Sequence, residues 1–360
     1  MLFELLYRFH DYFSPLNVFR YITFRTSLAA LTALIATFVI APGMIRWLKK
    51  ISMTQQIRDD GPKTHLAKAG TPTMGGIIIL SAIMISVLMW GNFRNVYIWM
   101  MMISLLGFGG VGFLDDYLKV VKKNPKGLRA WYKFGAQMAI AVAIGTFLYA
   151  NPHDTYNTVH NVPFFKKWLF DLGFFYIPFS VFVIVGASNA VNLTDGIDGL
   201  AIGLVAVAVS ANLVLVYVSG HALFAKYLQV LYLPGIGELT VFCGAMLGAA
   251  LGFLWYNSYP AEVFMGDVGS LGLGGALGTL AVITKHEIVL VVVGGIFVIE
   301  TISVVLQVAS FKLTGKRIFK MAPLHHHFEL KGWQEPKVIV RFWIVGIILA
   351  LFSLATLKLR

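Results

Sequence analysis

Ten apolar runs leave this chain few ways to fold. They lie near 24–45, 72–91, 95–114, 132–150, 171–188, 199–218, 237–256, 263–283, 287–310 and 338–357. Each approaches the ~20 residues a helix needs to cross a hydrocarbon core of roughly 30 Å. Inside a bilayer no water satisfies the backbone N–H and C=O groups, so such segments must form their hydrogen bonds internally. Composition agrees: 58% of residues are hydrophobic and 13% charged, against about 25% charged in a soluble domain. The expected fold class is all-α, a polytopic integral membrane protein with about ten transmembrane helices in a single domain over 1–360.

Residues 2–20 mix Leu, Phe and Tyr with polar side chains, so a short interfacial helix is expected within 1–23. Glu4 and Asp11 interrupt that stretch, and no short apolar core leads to a small-residue cleavage site, so a cleaved signal is not expected. The lone Cys243 lies inside an apolar run; it excludes an intrachain disulfide and reads as packing. A net charge of +12 would suit a nucleic-acid binder. In a membrane protein it reads instead as topology, and no nucleic-acid partner is expected.

The segments 46–71, 115–133 and 311–341 hold 19 of the 29 Lys and Arg residues. Cytoplasmic loops are enriched in these residues. That puts both termini on the periplasmic side and five loops in the cytoplasm: 46–71, 115–133, 189–198, 257–267 and 311–337. Two of them are poor in Lys and Arg but carry "NAVNLTDGIDGL" and "NSYPAEVFMGDVGS". Asp195, Asp198, Glu262 and Asp267 therefore share a face with Asp115 and Asp116. The outer loops show no comparable cluster, so the chemistry is expected at a cytoplasmic-face cleft.

Charge at the edge of hydrocarbon is expensive unless it meets water, a metal or a partner. Asp115 and Asp116 either mark a solvated helix end or bind something there. Asp195 and Asp198 are spaced to share a helix face; an N-cap is the plainer reading of one of them. Asp267 sits between glycines, where the backbone can turn sharply. Several Asp on one face repel one another and call for a cation; hard oxygen ligands together with phosphate chemistry point to Mg²⁺. Acids in hydrated cavities also serve ion transport, so they do not choose by themselves. Transport would favour acids near mid-membrane, and only Glu300 and Gln307 lie well inside a run.

Three consecutive His in "APLHHHFELKGW" cannot share one helix face. A plain loop or an adventitious metal site is one reading; contact with phosphate or sugar, among Lys316, Arg317, Lys320 and Lys331, is the other. "RDDGPKTHLAKAGTPTMGG" adds His65 and Lys68, cations suited to an anionic ligand. Asn257 and Phe264 beside Asp267 suit a nucleobase, by hydrogen bonds to its edge and stacking on its face. The glycines of 269–278 and the Gly244, Gly248, Gly252 series read as close helix packing.

Together, "KAGTPTMGG", "FLDDYLK", "NAVNLTDGIDGLA", "NSYPAEVFMGDVGSLGLGG" and "APLHHHFELKGW" closely resemble the motifs of the phospho-N-acetylmuramoyl-pentapeptide transferases. These are the peptidoglycan branch of the polyprenyl-phosphate N-acetylhexosamine-1-phosphate transferase superfamily. The similarity runs from about residue 46 to the end, with no departure at a motif position. "PLHHHFE" separates this branch from relatives acting on UDP-GlcNAc, which remain the nearest alternative; an ion-coupled transporter is the more distant one.

The resemblance implies transfer of phospho-MurNAc-pentapeptide from UDP-MurNAc-pentapeptide to undecaprenyl phosphate, giving lipid I and UMP, by a homodimeric, Mg²⁺-dependent enzyme of the bacterial inner membrane. On that basis Asp267 is the expected metal ligand. Asp115 would deprotonate or orient the lipid phosphate, with Asp116 supporting it. Asn192, Asp195 and Asn257, with Asp198 nearby, would face the uridine, and Phe264 would stack on it. Lys68, Lys133, His325, His326 and His327 would contact phosphates or sugar, with His326 counted among the catalytic groups. A covalent route through Asp267 stays open.

Overall fold

The computed structural model describes residues 2–51, 70–122, 124, 127–151, 158–161 and 169–358. The chain opens with α1 (Leu2–Arg8) and a 3-10 helix at Ser14–Arg20. The long helices begin with α2 (Ile22–Lys50), α3 (Gly76–Trp90), α4 (Val96–Val120) and α5 (Ala130–Ala150). A short antiparallel ribbon follows, β1 (Val159–Asn161) against β2 (Leu169–Asp171), with His160 opposite Phe170. Then come α6 (Tyr176–Thr194), α7 (Leu200–Ser219), α8 (Ala222–Leu228), α9 (Leu239–Asn257) and α10 (Gly266–Thr284). The chain continues through α11 (Glu287–Val293), α12 (Gly295–Thr314), α13 (Leu324–Glu329) and α14 (Glu335–Ala355).

Among the described residues nine helical segments are long and apolar enough to cross a membrane, and α3 is a shorter tenth. The chain is an all-α polytopic membrane protein. Each of the ten apolar runs overlaps helix; the run at 171–188 begins in the ribbon and becomes α-helix only at Tyr176, and two other runs differ locally. The run at 287–310 is split into α11 and α12 at Gly294 and Gly295; two adjacent glycines stabilise a helix least and let its axis bend. The run at 72–91 is helical only from Gly76, because residues 72–76 pair with another segment. Phe264 N donates to Pro72 O at 2.8 Å, Gly75 N to Phe264 O at 2.9 Å, and Gly76 N to Met265 O at 2.8 Å.

Helix α10 is the axis of the bundle. Every residue from Val268 to Thr284 is buried, enclosed mainly by α3, α4 and α6. Such enclosure needs small side chains, because membrane helices gain by close backbone packing rather than by hiding from lipid. Gly112 on α4 shows the constraint: a Cβ there would collide with the carbonyl of Asp267. The same logic seats α9 on α2, where a Cβ at Gly248 would strike the carbonyl of Ala30. Outer surfaces carry exposed apolar residues, among them Val39, Phe182, Val305 and Leu351.

At the end of α10 remote from Asp267 lies a sealed polar cluster. Lys285 Nζ donates to the Tyr176 hydroxyl at 3.1 Å and lies 4.2 Å from the centre of its ring. His160 Nδ1, from the ribbon, is 3.1 Å from Glu287 Oε2, and both side chains are 2% exposed.

Candidate active site

Helix α4 continues to Val120, so Asp115, Asp116 and Lys119 occupy its last turns rather than a loop. Four-residue spacing brings Lys119 over Asp115, with Nζ 2.8 Å from Oδ2. Lys133, in the first turn of α5, places its Nζ 3.0 Å from the same oxygen. The other oxygen, Oδ1, accepts Leu128 N at 2.6 Å. Asp267, the second residue of α10, receives the same two ammonium groups: Lys119 Nζ at 3.0 Å and Lys133 Nζ at 2.7 Å, both on Oδ2. Asn192, in the last turn of α6, donates to Asp267 Oδ1 at 2.7 Å and to Ser270 Oγ at 2.8 Å. Two carboxylates and two ammonium groups from three helices thus form one bridged cluster. Asp115 is 2% exposed, but the Lys119 side chain is 38% exposed, so the cluster opens to water.

Asp116 has a different task. Its Oδ2 accepts Val268 N at 3.2 Å, near the positive end of the α10 dipole. Consecutive helical residues project about 100° apart, so the two adjacent acids cannot share one role.

Asp195 and Asp198 share no helix face, because α6 ends at Thr194 and α7 starts at Leu200. Gly199, at φ +75°, makes the turn between them. Asp198 is turned inward, its Oδ2 accepting Ala261 N at 3.0 Å, while Glu335 Oε1 accepts Asp198 N at 3.0 Å. Asn257 is also inward, accepting Gly199 N at 3.1 Å and donating to Val263 O at 2.9 Å. Both ends of its amide therefore hold backbone. Asp195 is half-buried. Burial, then the charges of Asp267, Asp116 and Asp198, hold its carboxyl well above the usual range.

The His run forms the short helix α13, not a loop, and its three rings diverge. His325 is fully buried against Gly196, where a Cβ would collide with Nε2. His326 Nδ1 lies 2.8 Å from Glu329 Oε2. His327 Nδ1 accepts Lys320 N at 3.1 Å; burial, then Lys331 and Lys320, depress its pKa. Glu300, the acid deep inside a run, is occupied with this helix: its oxygens accept Leu324 N at 2.6 Å and His325 N at 3.2 Å. Gln307 accepts Ile318 N and Phe319 N at 3.0 and 2.9 Å. These ties account for both polar residues without an ion pathway.

Asp115, Lys133, Asn192 and Asp267 are thus brought together directly. Asp116 joins them through Val268, and His325 reaches the neighbourhood of Asp195 through Gly196. Phe264 is half-buried at the pairing of residues 264–265 with 72–76. The rings of His326 and His327 bond within their own segment. Lys68 lies outside the described residues. Sequence reasoning counted Lys119 only as a loop cation, although its spacing from Asp115 was a usable signal; Ser270 carried none.

The cluster tests its own fitness for a divalent cation. Among the described residues no three His, Cys, Asp or Glu side chains are grouped to hold a metal by themselves. The donors present are hard oxygens, with carboxylates outnumbering ammonium groups once Asp116 and Asp195 are included. That set fits an ion bound through one or two carboxylates plus substrate phosphates and water, the usual habit of Mg²⁺.

The sequence profile described as glycosyl transferase family 4 matches residues 98–285. That range contains every member of the bridged cluster. Signature 1 of phospho-N-acetylmuramoyl-pentapeptide-transferase matches residues 68–80. Full-length relatives of that name come from Thermodesulfovibrio yellowstonii, 72% identical, Pelobacter propionicus, 59%, and Citrifermentans bemidjiense, 57%; each alignment covers 100% of both chains. The chain belongs to the phospho-N-acetylmuramoyl-pentapeptide-transferase family. The cluster where α4, α5, α6 and α10 meet combines cations, acids and access to water at helix ends.

Proposed function

We propose that the protein transfers phospho-MurNAc-pentapeptide from UDP-MurNAc-pentapeptide to undecaprenyl phosphate, in the bacterial cytoplasmic membrane. The products are undecaprenyl-diphospho-MurNAc-pentapeptide and UMP. Full-length identity of 72% to a relative named for this activity supports the reading. The observation that carries it is the joint clamp of Lys119 and Lys133 on Asp115 and Asp267.

One substrate is soluble and the other keeps its tail in lipid, so their phosphates can meet only at a membrane face. A lipid-phosphate oxygen bonds to the sugar-linked phosphorus as the bond to UMP breaks, and UMP leaves with the electron pair. The barrier is largely charge repulsion and positioning. Lys119 and Lys133 are the cations available to phosphate oxygens. Asp115 takes a proton from the lipid phosphate or orients it, while Asp116 anchors the start of α10. Mg²⁺ on the pyrophosphate would neutralise the leaving group, and Asp267, with Asp115 beside it, is the residue that would hold it. Asn192 keeps Asp267 in place, and Asp195 and Phe264 face the uridine. Asn257 and Asp198 act through the turns they tie.

The test is to supply the purified protein with undecaprenyl phosphate and either UDP-MurNAc-pentapeptide or UDP-GlcNAc, with and without Mg²⁺. Release of UMP only from the first nucleotide sugar, and only with Mg²⁺, is expected. Turnover of UDP-GlcNAc alone would move the protein to the neighbouring branch of the superfamily.

A further inference from the structure

Helix α5 delivers Lys133 to the cluster from the edge of the bundle. It buries Gln137, Ala141, Ile144, Gly145 and Leu148, a stripe at helical spacing, while Trp131, Phe134, Val142 and Phe147 are exposed. Apolar packing along one stripe is non-directional, so it fixes poorly how far a helix slides or turns. Lys133 Nζ must reach both Asp115 Oδ2 and Asp267 Oδ2, at 3.0 and 2.7 Å. A small rotation of α5 would part it from one of them.

Gln137 is the polar member of that stripe. It lies one turn beyond Lys133, on the same face, and is fully buried. Its Oε1 accepts Asn189 Nδ2 at 2.8 Å. Asn189 stands three residues before Asn192, so it shares the face of α6 from which Asn192 donates to Asp267. Asn189 Nδ2 also donates within its own helix, to Val185 O at 2.8 Å. Helix α5 leaves the cluster and α6 returns to it, so the amide pair ties the two helices one turn behind the residues they present to Asp267.

A second observation separates this tie from ordinary packing. Among the described residues, Gln137 Nε2 has no hydrogen-bond partner. A buried donor left unpaired is costly, and an apolar group of the same shape can be neutral or stabilising in its place. The amide therefore stands here at a cost that a methionine would not carry. What it supplies is direction, because a hydrogen bond has a preferred distance and angle, and side-chain amides link membrane helices in this way.

We infer that Gln137 is a positioning residue for the transfer reaction: through Asn189 it fixes α5 against α6, so that the Lys133 ammonium stands between Asp115 and Asp267. The inference rests on the proposed function, in which Lys133 meets phosphate oxygens.

The test uses the full-length protein in detergent with UDP-MurNAc-pentapeptide and undecaprenyl phosphate, both saturating. It reads kcat per folded molecule beside the melting temperature. Gln137→Met should lower kcat by about 10²-fold, the scale of a group displaced by roughly 1 Å, without a fall in melting temperature. Lys133→Met should be impaired at least as much. Adding Gln137→Met to it should change kcat by less than about twofold, as for residues that act as one unit. An equal loss in both backgrounds, or a wild-type kcat with a lower melting temperature, makes the amide structural only and overturns the inference. Asn189→Ser is the second variant, since the serine hydroxyl can still bond Val185 O but drops Gln137. It should lose kcat to the same extent; turnover at the wild-type rate overturns the inference, and this variant decides should Gln137→Met fail to fold. A silent Lys133→Met removes the clamp, and the proposed function with it. A damaging Lys133→Met beside a silent Gln137→Met overturns this inference alone.

Discussion

The two ends of α10 carry buried charge in opposite styles. At the Asp267 end, two acids share two lysines, further acids crowd the same neighbourhood, and water reaches Lys119. At the Glu287 end, His160 meets Glu287 and Lys285 meets Tyr176, with the His160 and Glu287 side chains closed off from solvent. Charge in excess and in contact with water can exchange its partners for a charged ligand. Charge matched inside the protein cannot, and serves to fix how the ribbon and α11 sit on the bundle. Burial of ionisable groups is therefore a poor guide to function unless the local balance of charge is counted too.

Substitutions at the two ends should separate these styles. The largest effect is expected from Asp267→Asn, which removes the charge of one of the two acids that both lysines share. Turnover should fall by about 10⁴-fold, as for loss of several kcal/mol of transition-state charge stabilisation, in a protein that still elutes as a folded species in detergent. Near-normal turnover at ordinary Mg²⁺ would end the assignment. Asp115→Asn should cost about 10²–10³-fold, the range for a lost general base, and flatten one limb of the pH–rate profile while nucleotide-sugar binding survives. A rate within about threefold of wild type, with the same pH profile, would reduce Asp115 to a helix end.

At the sealed end the outcome should invert. Glu287→Gln leaves His160 without its charged partner and should lower stability by about 3 kcal/mol, as when one member of a buried pair is removed. Turnover per folded molecule should stay within about threefold. A catalytic loss without a stability loss would erase the contrast between the two ends.

The smallest effect concerns Asp195, whose carboxyl is held above its usual range by burial and by its acidic neighbours. Protonation therefore favours the folded state. That contribution is fully present below the ordinary carboxylate range and is lost as pH rises through the raised folded value. Asn imitates the protonated acid, so Asp195→Asn should raise the melting temperature at pH 8 and leave it nearly unchanged at pH 4. A larger gain at the acidic end would show that the acids around Asp195 do not burden the fold.

Much of the architecture was legible in the sequence because a bilayer enforces simple rules. Each long apolar run had to become helix, and each did, the run at 287–310 yielding at its glycine pair. The site was legible in its residue types but less so in its geometry. Asp195 and Asp198 looked like neighbours on one helix and proved to sit in a turn, one half-buried and one tied inward. Asn257 looked like a ligand contact, and its amide is committed to Gly199 and Val263. Lys119 was legible only through its spacing, four residues after Asp115, which Lys122 in the same charged stretch lacks.

By itself, then, the sequence determined the membrane class, the long apolar helices and the gathering of acids toward one end of the bundle. These follow from hydrophobic length and the distribution of charge, which act segment by segment. Tertiary structure alone decided which acid meets which lysine, which polar groups are used up by backbone, and that Glu300 faces His325. Those pairings join residues far apart in the chain. They exist only because the glycine-rich contacts of α10 let α4 and its neighbours approach closely enough for helix ends to meet.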